Sequence, residues 1–210
     1  MEDVLNVYSS PQEQGVARLC IDERPCQLLD DVLTPVPMQP GRSKRIDYEY
    51  KRQGTCTVFM AYDIDKGKRY AQVREHRTKR DYAEFMEWMM KHHYSQAKKV
   101  VVVQDNLNTH KKGSLYEHLP TQRAGELAGL LDFHFTPKHG SWLNMAEIEF
   151  SALSRQCLKR RIGSIKKLNH EVKAWVKNRN KEKVKINWSF TVSKARHTMA
   201  SQYRKVNQNN

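Results

Sequence analysis

The chain has 210 residues, 37 of them Lys or Arg against 23 Asp or Glu, for a formal net charge of +14. That length supports one sizeable core or two small ones, and that charge points to a polyanionic partner, with nucleic acid the default. No apolar run is long enough to span a bilayer. The start, Met1-Glu-Asp-Val, lacks the basic and apolar regions of a signal peptide. Four cysteines (Cys20, Cys26, Cys56, Cys157) form no pair with zinc spacing and read as reduced thiols. A cytoplasmic protein with no membrane partner is therefore expected.

In chain order, residues 1–15 are polar and predicted to be loose. Val16 to Ile21 is an apolar run that ends at Asp22-Glu23, predicted as a buried strand stopped by acid. Residues 24–55 contain Pro25, Pro35, Pro37 and Pro40, then the run Arg42 to Arg52. A connection of that length is functional or disordered. Its interleaved Arg, Lys and Tyr suit contact with phosphate and stacking on bases. Thr55–Tyr62 and Lys68–Arg74 read as a hairpin about the turn Asp63-Ile-Asp-Lys-Gly67. Thr78-Lys-Arg-Asp81 looks like a capping box, opening a helix with Tyr82, Phe85, Met86, Met89 and Met90 on one core-facing stripe.

Lys99-Val-Val-Val-Val-Gln-Asp105 follows, a strand buried on both faces that also stops at an acid. Gly113 to Gly129 is helical but broken by Pro120, and Leu130–Phe135 is a further strand. A helix from Ser141 to about Lys159 carries Leu143, Ala146, Phe150 and Leu153 on its apolar face, and Glu147 falls on that same face. A last amphipathic helix is predicted over Ile165–Arg179, and 201–210 reads as a disordered polar tail.

Three acids stand out for separate reasons: Asp22 and Asp105 end buried strands, and Glu147 sits on a helix stripe where an uncompensated carboxylate is costly. The element order suits an α/β fold over 16–200, a mixed sheet of a three-strand antiparallel meander plus parallel strands, flanked by helices. If the first and fourth strands pair in parallel, Asp22 and Asp105 leave the same sheet edge. Converging carboxylates suit hard divalent cations. Two such ions about 3.5–4 Å apart can hold a phosphodiester for in-line displacement. Arg42, Lys44, Arg45, Lys51, Arg52, Lys159, Arg160 and Arg161 are candidates for contact with the nucleic-acid backbone.

The segments Cys20-Ile-Asp-Glu23, Asp47 to Gly54, Val103-Gln-Asp-Asn-Leu-Asn-Thr-His110 and His139-Gly-Ser-Trp-Leu-Asn-Met-Ala-Glu147-Ile-Glu-Phe150 resemble the catalytic domain of a DDE transposase, in the bacterial insertion-sequence branch of the mariner superfamily. The resemblance implies an RNase H-like fold and a catalytic, metal-binding triad of Asp22, Asp105 and Glu147. It implies Mg2+ or Mn2+ as cofactor, cleavage of DNA at element ends, and strand transfer into target DNA at a TA step, which unstacks easily. Asn106, His110 and Asn144 match family positions near the site and are expected to orient carboxylates or contact phosphate. A homodimer on DNA is expected by the same analogy. Family members carry helix-turn-helix domains ahead of this region. Here about fifteen residues precede the first strand, so a DNA-reading partner from an upstream frame, or a truncated gene, is expected.

Glu23 competes with Asp22, but neighbouring strand residues face opposite sides, and the resemblance favours Asp22. Glu149 is expected to point away from Glu147, and His134 and His139 to be satisfied or solvent-facing. Two rival readings stay open: an RNase H-like endonuclease or resolvase without strand transfer, and an inactive DNA-binding remnant.

Overall fold

The computed structural model describes residues 1–208. Five strands form one mixed sheet in the order β3-β2-β1-β4-β5, with β1 at Val16–Asp31, β2 at Tyr50–Asp63, β3 at Lys68–Arg74, β4 at Lys99–Gln104 and β5 at Leu131–Phe135. The first three are antiparallel neighbours, and β4 joins β1 and β5 in parallel. This is the predicted meander plus parallel strands.

Alternation along the strands divides the core into two layers. Leu19, Ile21, Phe59, Ala61, Val100 and Val102 face one side. There they pack on α2 (Lys79–His93), α3 (Lys112–His118) and α4 (Thr121–Leu130). Cys20, Tyr62, Val101 and Val103 face the other side, with Val58 and Met60 beside them. That side is covered by α1 (Glu2–Ser9), α5 (Met145–Gln156), α6 (Ile165–Lys181) and α7 (Val192–Thr198).

Several local expectations hold. Gly67 takes φ 62° in the hairpin turn, where its N–H donates to the Asp63 carbonyl at 2.9 Å. A Cβ there would also meet Lys185 at 2.9 Å, so glycine is required twice over. Thr78 and Asp81 form a full capping box at the start of α2. Removing the hydroxyl with Thr78→Ala is expected to cost about 1 kcal/mol of stability, read by urea unfolding. Pro120 separates α3 from α4 as its missing N–H dictates.

Others are corrected. Residues 2–9, expected to be loose, form α1, because Val4, Leu5 and Val7 are buried against the sheet and α7. The polar residues between them hid that stripe. The first strand does not stop at Ile21 but runs on to Asp31, through Pro25. Beyond Cys20 it pairs with β2 alone, so it is an edge there and tolerates proline. What remains of the long connection is residues 32–49, a finger pinned by bridges Val36–Arg45 and Gln39–Arg42. The tail, expected to be disordered, is helical over Ala200–Gln208 as α8, and residues 209–210 lie outside the described residues.

Candidate active site

The parallel register of β1 and β4 sets the site. Cys20 pairs with Val103, so two residues further along, Asp22 inside β1 and Asp105 just past β4 come side by side where β4 ends. Asp22 lies on the Cys20 face and is buried. Its Oδ1 accepts the Glu23 N–H at 2.9 Å and its Oδ2 accepts Asn144 Nδ2 at 3.2 Å. Asp105 follows the last residue of β4, at the start of an exposed turn through Asn106, Leu107 and Asn108.

Asn144 brings the third acid in. It caps α5, its Oδ1 accepting the Ala146 N–H at 3.0 Å, while its Nδ2 donates to the Ile21 carbonyl at 2.9 Å as well as to Asp22. The helix start is thereby bolted to β1 beside Asp22, and Glu147 sits in its first turn. An acid there is favoured by the helix dipole. On the other side, Tyr8 of α1 donates its hydroxyl to the Leu143 carbonyl at 2.6 Å, backing the 3-10 turn Ser141–Leu143 that precedes the cap. Asn144→Ala removes both the cap and the bolt. It is expected to cost about 1–2 kcal/mol by thermal or urea unfolding.

Glu147 does not lie on the buried stripe. The 3-10 turn and the Asn144 cap delay α5 to Met145, which turns Glu147 to solvent and buries Glu149 instead. Glu149 is completely buried. It receives Arg69 Nε and Nη2, both at 2.7 Å, and Arg179 Nε at 2.7 Å and Nη2 at 3.1 Å. Arg69, itself fully buried, also donates to the carbonyls of Gly67 and Val184. The compensating arginine that a buried acid demands is present, but for the neighbouring acid.

Burial, followed by the negative charge of Glu147, pushes the Asp22 carboxyl up to about 7, with Glu23 and Asp105 adding to it. Among the described residues, no three His, Cys, Asp or Glu side chains already stand close enough together to hold a metal ion. The donor set nevertheless fits a hard cation in kind. It is three carboxylates at one sheet end, with Asp22 short of the positive charge that would keep it ionised.

His110 is buried between two acids. Its Nδ1 faces Asp105 Oδ1, and its Nε2 lies 2.8 Å from Glu23 Oε2. Burial alone would lower its pKa, but hydrogen bonds to Asp105 and Glu23 and their charge lift it to about 10. Glu23 occupies the opposite sheet face from Asp22, as alternation requires, yet joins the cluster through this ring. Asn106 is exposed and lines a cleft of about 600 Å³ with Asp105, Thr136, Lys138, His139 and Ser141. His134 pairs with Asp3.

The basic candidates fall into two groups. Arg42, Lys44, Arg45, Lys51, Arg52 and Lys159 are exposed on the finger, the outer end of β2 and the end of α5. Arg161 is spent internally, on Asp31 and on the carbonyls of Asp47, Tyr48 and Glu49 at the base of the finger. Arg160 is exposed and paired with Glu171.

The matching region covers all three acids: residues 17–169 match the family model of the DDE superfamily endonucleases. The chain belongs to that family. The fold of this DDE superfamily endonuclease agrees with a solved structure, the crystal structure of the Mos1 strand transfer complex. The TM-score is 0.54 at 10% identity, covering 87% of this chain and 59% of that one. The endonuclease thus spans under two thirds of that chain's length. No curated protein matches it. Among its described residues, no helix is long and apolar enough to cross a membrane.

Proposed function

We propose that this endonuclease is the catalytic domain of a DNA transposase of the mariner superfamily, in its bacterial insertion-sequence branch. Asp22, Asp105 and Glu147 are its catalytic carboxylates. The observation that carries this reading is the β1–β4 register, which sets Asp22 and Asp105 side by side where β4 ends while Asn144 ties the start of the Glu147 helix to Asp22. A lone acid at a strand end is ordinary. Two in register, with a third delivered by a capped helix, supply the kind of donors a divalent cation takes.

In this reading Asp22, Asp105 and Glu147 hold Mg2+ or Mn2+, two ions in the full site. When bound, the cation supplies charge neutralisation and activation of the attacking oxygen at the scissile phosphodiester. Asn144 holds Asp22 in place, and Asn106 contacts DNA in the adjoining cleft. The exposed cations Arg42, Lys44, Arg45, Lys51, Arg52 and Lys159 neutralise backbone phosphates, so DNA affinity falls steeply with salt. The Mos1 structure is of a strand transfer complex. By analogy this chain joins a freed 3′-hydroxyl to target DNA, acts as a homodimer on DNA, and takes its end recognition from a helix-turn-helix segment or partner.

Strand transfer separates this reading from a nuclease that only cuts. With pre-cleaved element-end duplexes, Mn2+ and supercoiled plasmid, joined products at TA steps are expected from the wild type and none from Asp105→Asn. Metal-dependent cutting with no joining, once a helix-turn-helix partner is supplied, would assign the chain to the resolvase-like class.

A further inference from the structure

Glu23 is a buried carboxylate with its side chain 2% exposed, and among the described residues its hydrogen-bonding partner is His110. Burying a charge is costly unless something else is gained. The pair is not needed to hold the backbone of His110, which other contacts fix. Its carbonyl accepts Gln104 Nε2 at 2.9 Å, Gln104 accepts the Tyr82 hydroxyl at 2.8 Å, and the Tyr82 ring lies 4.8 Å from the His110 ring. Those contacts hold the backbone and one ring face but leave the rotation of the imidazole edge undetermined. Glu23 Oε2 supplies that restraint at Nε2 and so aims Nδ1 at Asp105.

Asp105 needs such a restraint. It stands outside β4 at the head of an exposed turn. Apart from His110, its carboxylate accepts only a 3.4 Å contact from the Leu107 N–H among the described residues. The His110 bond occupies Oδ1, and Oδ2 accepts no hydrogen bond among those residues. We propose that Glu23 is a positioning residue: acting through the His110 ring, it fixes the Asp105 carboxylate so that Oδ2 is presented to a divalent cation. This rests on the reading of Asp105 as a cation ligand. Glu23 itself stays on the far face of the sheet and is not a ligand.

The test follows two readouts on the full chain. One is the imidazole nitrogen resonances of His110 by proton–nitrogen correlation. The other is Mn2+ affinity from the electron paramagnetic resonance signal of free Mn2+. The chains compared are wild type, Asp22→Asn, Glu23→Ala, Glu23→Gln, His110→Ala and the Glu23→Ala/His110→Ala double variant. Glu23→Ala is expected to move the His110 ring resonances and to weaken Mn2+ binding by about 10–100-fold, the range for loss of a partner behind a metal ligand. Glu23→Gln keeps an acceptor opposite Nε2 and the side-chain shape, so it folds and recovers part of that loss. In the double variant the Glu23 substitution adds nothing to His110→Ala, because its effect passes through the ring. Unmoved ring resonances in both Glu23 variants would overturn the inference, as would a Glu23→Ala loss that persists in the His110→Ala background. Wild-type Mn2+ binding that Asp22→Asn abolishes but Glu23→Ala retains would overturn the inference alone. A wild type that binds no Mn2+ would defeat the cation reading and this inference together.

Discussion

Glu149→Ala is expected to destabilise the protein by about 3–5 kcal/mol, the cost of leaving a buried charge without its partner. Two guanidinium groups converge on this carboxylate, and Arg69 has no exposed surface. Removing the acid strands two cations, one of them entirely inside. The same contacts join four parts of the chain: α5 through Glu149, β3 through Arg69, α6 through Arg179, and the segment after α6 through the Val184 carbonyl. Asn180 adds a reciprocal pair with the Arg69 backbone, both bonds at 2.8 Å. The loss therefore falls on the placement of the helix that carries Glu147. Urea unfolding of wild type, Glu149→Ala and Arg69→Met/Glu149→Leu checks it. The double replacement removes the acid and the fully buried cation, leaving Arg179, whose side chain is partly exposed, and is expected to recover part of the stability. If Glu149→Ala unfolds within about 1 kcal/mol of wild type, the network contributes far less than a buried ion pair should.

The second large effect runs in opposite directions for stability and activity. Asp22→Asn is expected to reduce metal-dependent DNA cleavage by at least about 100-fold, beyond the upper end of what loss of an outer-sphere partner costs. The same substitution is expected to raise the melting temperature of the metal-free protein at pH 8. Burial and the neighbouring Glu147 carboxylate lift the Asp22 carboxyl from 3.8 to about 7. Between those values the folded chain binds a proton that the unfolded chain releases, so stability declines as pH rises through that window. Asparagine cannot ionise and removes this term. The gain is therefore full above about pH 7, shrinks steadily as pH falls from there, and is gone only near 3.8, where the unfolded chain's Asp22 is protonated too. Melting curves of both proteins in EDTA at pH 5 and pH 8 check this. An equal melting temperature at both pH values would show that Asp22 is well solvated and that its neighbours do not crowd it.

The strands were legible because their side chains alternate or run continuously apolar, and this placed Asp105 just past the end of β4; Asp22, expected at a strand end, lies inside β1, which runs on to Asp31. Their convergence was conditional on parallel pairing of β1 and β4, a long-range fact that no local pattern contains. Glu147 was singled out on a buried stripe that it does not occupy. The buried stripe was drawn from a helix beginning at Ser141, whereas the Asn144 cap starts α5 at Met145 and shifts the phase so that Glu149 is the acid inside. Its partner Arg69 lies 80 residues away in sequence and gave no signal. Glu23 was set aside by strand alternation, correctly as to its face. Alternation does not reveal that His110 reaches across the sheet end to join that face to Asp105. The helix at Glu2–Ser9 was missed because a stripe of Val4, Leu5 and Val7 is too short to stand out among polar neighbours. Only the packing of α7, from the far end of the chain, completes its burial.

The most direct test of the catalytic centre is nicking of supercoiled plasmid by the purified chain, wild type beside Asp105→Asn, in Mg2+, Mn2+ and EDTA. Asp105 is the choice because it is a third exposed and lies in a turn outside the hydrophobic core, and asparagine keeps an acceptor facing His110. Wild-type nicking that needs the metal and disappears in Asp105→Asn, with salt-sensitive DNA binding equal in the two proteins, is the predicted result. Nicking that survives either EDTA or the Asp105→Asn substitution would contradict a carboxylate-held cation at this sheet end.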